Sequence, residues 1–263
     1  MMVRGVVLAA LCVGLFSAVG ASPAKADFSA CESAFYAKTP DEQITLYTLC
    51  ITKGGLPLRD RSGAYNNRAS LYMGQGELDK AFADLNKAIE YDESWGVSYL
   101  NRGIIHRARH ELAEAEADFT AATQHLPNRI WAEAYSARGA VRAARGDFPA
   151  ALADFDLAIR QDRKNPSGLN SKAWLLATSS EDHVRDGAAA VDLAKRAVAL
   201  GDTAGARDTL AAAYAEAGRF DEAVAEQRRA MEMLQKRGAA SNAGFEARLA
   251  LYLEKHPYRE TAP

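Results

Sequence analysis

Five small residues recur through the middle of this chain at nearly constant spacing. Ala69, Gly103, Gly139, Ala173 and Ala211 lie 34, 36, 34 and 38 positions apart. In four of the five units a second small residue follows 12 positions later, at Ala81, Ala115, Ala151 and Ala223, and a third seven beyond that, at Ala88, Ala122, Ala158 and Ala230. The fourth unit keeps the later pair as Ala190 and Ala197. There 17 residues separate Ala173 from Ala190, an insertion of five that falls within Ser179 to Asp186. Self-similarity at a period of about 20 to 50 residues marks a stack of supersecondary units, each unable to bury its apolar face alone.

Each unit reads as two amphipathic helices joined by a tight turn. Gly76, Gly146 and Gly218 punctuate the turn, each followed by a charged residue and then an aromatic or Leu. Small residues at fixed register let the two helices approach closely. Tyr65, Tyr99 and Tyr135 sit four residues before the first small position, one turn away on the same face.

These residues resemble the tetratricopeptide repeat (TPR) family. The second unit carries its pattern as Tyr99, Gly103, Ala115, Phe119, Ala122 and Pro127, with His110 in place of the turn Gly. Glu93 and Arg163 stand where the first and third units would hold the closing Pro. The resemblance covers roughly Tyr65 to Gln235. It implies an all-α fold, a right-handed superhelical solenoid of antiparallel hairpins with about five repeats and a capping helix at each end. About thirteen helices and no sheet are expected.

Arg68, Arg102 and Arg138 each precede an Asp by 16 residues, at Asp84, Asp118 and Asp154. Both members are missing from the fourth unit, which has Lys172 and Leu193. We expect a structural ion pair across each hairpin, since partly buried charges need partners. Trp174 to Thr178, Arg185 to Gly187, Thr209 to Tyr214 and Pro257 to Glu260 look like a C-terminal arrangement found in many bacterial TPR proteins, with no chemistry attached to it.

The leader and the cysteines suggest a compartment. Met1 to Ala26 holds Arg4, an apolar run from Gly5 to Phe16 and a small-residue exit ending Ala24-Lys25-Ala26, the form of a secretory signal peptide. Cleavage is expected before Asp27, with Val19-Gly20-Ala21 as a second site and an uncleaved membrane anchor as the alternative. Losing Arg4 and Lys25 with the leader moves the formal charge from -2 to -4. Cys31 and Cys50 remain. Thr39-Pro40-Asp41-Glu42 reads as a helix start with Thr39 as N-cap. A hairpin turning there brings the two sulfurs to one open end, and an oxidising compartment would close a bridge that stabilises by about 3 kcal/mol. The C-x-x-C spacing of a redox pair is absent. The expected organisation is therefore a leader at 1–26, a stapled N-terminal cap at 27–61, five repeats at 62–236 and a final helix and tail at 237–263. In that helix Phe245, Leu249, Tyr252 and Leu253 form an apolar stripe, with Glu246, Arg248 and Glu254 opposite.

Chemistry is sparse. Basic and acidic side chains number 32 and 34, so no strong field for nucleic acid exists. No cofactor signature occurs. Gly74-Gln75-Gly76 lacks a preceding strand, a third Gly and a helix-start Lys. His106 and His110 lie four apart on a helix near Glu111 and Glu114, a metal-capable spacing. By register, His106 takes the interface position of Tyr72 and Tyr214, and His110 the turn position.

A surface remains. In the TPR family the first helix of each hairpin lines a concave groove for a peptide or partner helix. The resemblance carries this role to Asn66, Asn67 and Ser70, then Leu100, Asn101, Ile104 and Arg107, then Ser136 and Ala140, then Asn170 and Trp174. Asn66, Leu100 and Ser136 occupy places where a carboxylate-clamping member would have Lys or Arg. Leu100, Ile104 and Trp174 either bury partner side chains or pack against neighbouring hairpins. The expected function is a non-enzymatic periplasmic or secreted adaptor with a protein or peptide partner, no nucleic acid, and no membrane contact after cleavage. A self-associating scaffold is the alternative. A metal site or enzyme at His106 and His110 is a distant third.

Overall fold

A computed structural model describes residues 29–53, 55–125, 131–236, 238 and 242–260. The leader, Pro127 and the expected boundary at residue 237 lie outside them. Every regular element among the described residues is helical: thirteen α-helices and a single-turn 3-10 segment at Asp182–Val184. The chain divides into two compact units, residues 1–126 and 127–263.

The first unit contains α1 (Ser29–Tyr36), α2 (Pro40–Thr52), α3 (Leu58–Gln75), α4 (Leu78–Tyr91), α5 (Gly96–Ala108) and α6 (Leu112–His125). The chain reverses between α1 and α2 because Pro40 fixes the first helical φ and Thr39 Oγ1 accepts the Glu42 backbone N–H at 3.3 Å. Cys31 and Cys50 are joined, closing the open end of this hairpin. Ala30, Ala34, Tyr47, Leu56 and Ala64 complete a small core around them.

Successive helices then pair as hairpins, α3 with α4 and α5 with α6. Gly76 closes the first at φ 79°, and its successor Glu77 donates a backbone N–H to the Tyr72 carbonyl at 2.9 Å. His110 takes the same left-handed conformation at φ 61° without being glycine. A side chain there costs about 1 kcal/mol. The turn persists because Glu111 N–H reaches the His106 carbonyl at 2.9 Å, and because Glu111 Oε2 bonds His106 Nδ1 at 2.5 Å.

The second unit holds α7 (Trp131–Ala144), α8 (Phe148–Gln161), α9 (Pro166–Thr178), α10 (Gly187–Leu200), α11 (Ala204–Glu216), α12 (Phe220–Lys236) and α13 (Ala243–Leu253). The five-residue insertion becomes the link between α9 and α10. It contains the 3-10 turn, drops Val184 onto Phe148, Phe155 and Leu175, and returns through a bond from Asp186 N–H to the Leu176 carbonyl at 2.9 Å.

α13 differs from the sequence expectation. Tyr252 is buried, but Leu253 is 57% exposed and Arg248 points inward. Arg248 Nε and Nη2 each lie 2.8 Å from the buried carboxylate of Asp208 on α11. An apolar-stripe argument fails where a buried charge on another helix requires a counter-charge.

Candidate functional site

An ion pair ties together the two helices of each of three hairpins. Arg68 bonds both oxygens of Asp84 at 2.7 Å, Arg102 those of Asp118 at 2.8 and 2.7 Å, and Arg138 those of Asp154 at 2.9 and 2.8 Å. Each is a fork matched to a carboxylate. The carboxylate bond raises the Arg68 and Arg102 guanidiniums above their ordinary range against the opposing effect of burial. Each guanidinium also lies over its own tyrosine, at 5.5 Å for Tyr65, 5.6 Å for Tyr99 and 5.4 Å for Tyr135. In the fourth hairpin Lys172 turns instead to Asp156 of the preceding hairpin, at 2.6 Å.

The positions assigned to a groove divide into three groups. The first is consumed in packing. Asn66 is buried, and its Oδ1 accepts from Asn101 Nδ2 at 3.0 Å and Ser98 Oγ at 3.4 Å. Asn67 Nδ2 donates to Tyr47 Oη at 3.2 Å, and the Ser70 hydroxyl donates to the Asn66 carbonyl. Leu100 is buried as well. Ser136 is buried within hydrogen-bond distance of the Ser167 and Ser171 hydroxyls. Within each unit Asn66 and Ser136 bridge neighbouring first helices, and Leu100 is packed away, so Asn66, Leu100 and Ser136 are not exposed ligand contacts. The reason is stacking: neighbouring first helices approach closely enough for short polar groups to satisfy each other.

The second group is covered from within the chain. Trp174 donates its indole N–H to Glu260 Oε1 at 2.7 Å and stacks at a tilt on Tyr258, 5.9 Å between ring centres. Arg248 lies 5.3 Å from the Trp174 ring centre. Tyr258, Arg259 and Glu260 were recognised in the sequence only as part of an arrangement without a role. Asn170 is half-buried, and its Oδ1 is sealed from solvent with no donor.

The third group stays accessible: Ile104, Arg107 and Ala140, all half-buried. Ile104 and Arg107 are one turn apart on α5. Burial pulls the Arg107 guanidinium below its ordinary value, and no carboxylate among the described residues pairs with it. Its place in the last turn of α5 is electrostatically favourable, yet no ion pair is formed there.

The two histidines do not converge. His106 packs edge-on against Phe82 with ring centres 5.2 Å apart, and His110 is exposed at the turn. Among the described residues no group of three His, Cys, Asp or Glu side chains is placed to hold a metal ion.

Two further carboxyls escaped the sequence reading. Burial raises Glu133 above the usual carboxylate range, although Asn165 Nδ2 donates to its Oε1 at 2.8 Å. Burial likewise raises Asp208, opposed by the charge and hydrogen bonds of Arg248. Neither carried a motif. Glu133 reads as an ordinary helix-start acid, and Asp208 becomes buried only when α13 packs over it.

An array of antiparallel hairpins with small residues at each crossing defines a helical repeat protein. Comparison with known proteins gives the family. Two family models described as "Tetratricopeptide repeat" match residues 62–94 and 203–237. Tetratricopeptide repeat protein 36 of Xenopus tropicalis is 39% identical over 71 residues, covering 26% of this chain and 35% of that one. Heat shock protein STI1 of Saccharomyces cerevisiae is 29% identical over 92 residues, covering 35% of this chain and 15% of its own length. The chain thus spans about a third or less of these curated relatives. Among solved structures, PilF of Pseudomonas aeruginosa shares the fold with a TM-score of 0.66 at 15% identity, over 86% of this chain and 97% of that one. The chain therefore carries tetratricopeptide repeats, matched at residues 62–94 and 203–237. Proteins built from this repeat mediate protein–protein or peptide interaction and are generally non-enzymatic scaffolds.

Proposed function

We propose that this chain is a non-enzymatic adaptor of the periplasm or secreted space, and that the face of α5 takes an acidic peptide segment. One observation carries the reading: Arg107 is a half-buried guanidinium on a first helix, lowered by burial and without a carboxylate partner among the described residues, beside the accessible apolar side chain of Ile104. A desolvated cation gains most from a partner that brings a carboxylate. Export rests on the leader-like run at Gly5 to Phe16 and on the joined cysteines, which suit an oxidising compartment.

Fluorescence polarisation with matched acidic and basic peptide sets tests the binding reading. Acidic peptides should bind preferentially, Ile104→Glu should abolish binding, and Arg107→Glu should reverse the charge preference at unchanged helicity. Equal binding of both sets, or an unaltered preference in Arg107→Glu, rejects it. For export, N-terminal sequencing of chain recovered from an envelope fraction should begin at Asp27. Recovery only as uncleaved chain in the cytosol overturns that part.

A second reading, self-association, draws on the first hairpins. Phe35 is 52% exposed, Tyr36 80% and Leu58 62%, a concentration of large apolar side chains on α1 and the start of α3. Sedimentation showing a concentration-dependent dimer lost in Tyr36→Lys would favour it.

A further inference from the structure

The last five described residues leave α13 and run back over the ends of two other helices. α13 itself is firmly held: Tyr252 is 1% exposed, and Arg248 forks onto Asp208 with side-chain exposures of 12% and 7%. Beyond Leu253 the helix closes with Lys255 at φ 60° and a bond from His256 N–H to the Leu251 carbonyl at 2.8 Å. From Pro257 to Glu260 no helical bond continues. The segment meets the ends of α9 and α11 instead.

Three features meet it there, and each is one an extended peptide can use. The carbonyl of Thr178, at the last residue of α9, accepts the Glu260 backbone N–H at 2.8 Å. It belongs to the last turn, whose carbonyls have no partner within the helix. The Trp174 indole N–H binds the Glu260 carboxylate, and the faces of Trp174 and Arg248 receive the Tyr258 ring, Arg248 at 5.4 Å. Glu216, the last residue of α11, meets Arg259 Nη2 through Oε2 at 2.5 Å. Its other oxygen is held by Arg185 Nε at 3.1 Å. Arg185 comes from the insertion and is itself fixed by the Ser179 and Ser180 carbonyls at 2.8 and 3.2 Å. The insertion and the tail thus share one carboxylate.

The contacts on the tail side are shallow. Glu260 is exposed, and Tyr258 and Arg259 are half-buried. We infer that the ends of α9 and α11 form a second peptide site, for an extended segment that presents an aromatic ring, a cation and a carboxylate in succession, and that the chain's own Tyr258-Arg259-Glu260 is its resident occupant. A partner segment of that chemistry enters by displacing the tail, which holds the advantage of high effective concentration through its short tether at Lys255. α13 stays in place during the exchange because its anchors lie on the other side of Lys255. The inference stands on the tail contacts alone, so the acidic-peptide reading at α5 can fail without it.

The test uses the full-length chain carrying Tyr258→Ser and Glu260→Gln, which keeps the tail but removes its ring and its carboxylate. A fluorescein-labelled peptide of residues 256–263 is titrated into this variant and into the unaltered chain. The variant should bind the peptide at least tenfold more tightly, with a change in tryptophan emission that disappears when Trp174→Phe is added. Arg107→Glu should leave the titration unchanged. Equal affinity for the two chains, or no binding to a variant of unchanged helicity, overturns the inference. So does loss of helicity in the variant, because the tail is then a clasp and not a ligand. Hydrogen exchange on the unaltered chain gives an independent decision: the Glu260 amide should exchange much faster than that of Tyr252, and equal protection means that the tail does not detach.

Discussion

Adding one methyl group at Gly103 tests the close packing on which every hairpin depends. A β-carbon there would lie 2.7 Å from Phe119 Cε1, 2.8 Å from Cδ1 and 3.2 Å from Cζ. Phe119 is fully buried, so its ring has nowhere to go. Carbon–carbon contacts favour about 3.5 Å or more, so the ring must shift by about 0.8 Å. Overpacking of this kind costs about 1–3 kcal/mol. Replacing Gly in a helix interior returns about 1 kcal/mol. Gly103→Ala should therefore destabilise by up to about 2 kcal/mol, against the ordinary benefit of the substitution. The first repeat holds the compensated version, with Ala69 and Leu85 at the equivalent places and both fully buried. Phe119→Leu alone should cost roughly 1 kcal/mol for the void it leaves. The double variant recreates the Ala69–Leu85 pair and should cost less than the sum by at least about 1 kcal/mol. Gly74→Ala is the control, because nothing lies within 4 Å of its added carbon. It should stabilise by up to about 1 kcal/mol. Denaturant midpoints followed by far-ultraviolet circular dichroism at constant slope supply the values. A rise in midpoint for Gly103→Ala matching that for Gly74→Ala, or strict additivity in the double variant, would refute the packing argument.

Other parts of the structure make separate demands. Arg248→Met leaves the Asp208 carboxylate buried without its fork and should cost about 3 kcal/mol or more; a thermal midpoint within a degree of the unaltered chain would contradict this. Burial raises the folded-state affinity of Glu133 for its proton. The folded chain then binds more protons than the unfolded one above the ordinary carboxylate range, and stability should fall as pH rises from there through the raised value. Glu133→Gln should flatten that decline, and identical pH profiles of the thermal midpoint in the two proteins would reject the assignment. Reducing the Cys31–Cys50 bridge, or replacing both residues by Ser, should lower the stability of the first hairpins by about 3 kcal/mol. Hydrogen exchange confined to α1 and α2 would register it, and unchanged protection there would show that the bridge constrains little.

The hairpin scheme was legible because its determinants are local. Two helices linked by a tight turn bring residues 16 apart into register, so Arg68 with Asp84, Arg102 with Asp118 and Arg138 with Asp154 could be paired from spacing alone. The same holds for Cys31 and Cys50, whose hairpin turns at a Thr-Pro helix start. The candidate site was less legible. Asn66, Leu100 and Ser136 have the residue types of a binding face, yet they satisfy one another or pack away across neighbouring first helices. Arg107 was assigned to the groove by register. That no carboxylate among the described residues pairs with it could not be read, because that is a property of everything around it.

The sequence by itself determined the period, from small residues recurring 34 to 38 positions apart, and also the turn positions, the ion pairs within hairpins and the stapled first hairpin, since these follow from side chains fewer than about 20 positions apart on rigid helices of known pitch. Tertiary structure alone decided what is covered. Trp174 meets Glu260 across a separation of 86 residues, and Asp208 meets Arg248 across 40. No periodicity reaches across such distances, because the insertion, α13 and the tail belong to no repeat. Helical pitch determines which way a residue faces within its hairpin, whereas its final exposure depends on where non-repeating segments come to rest.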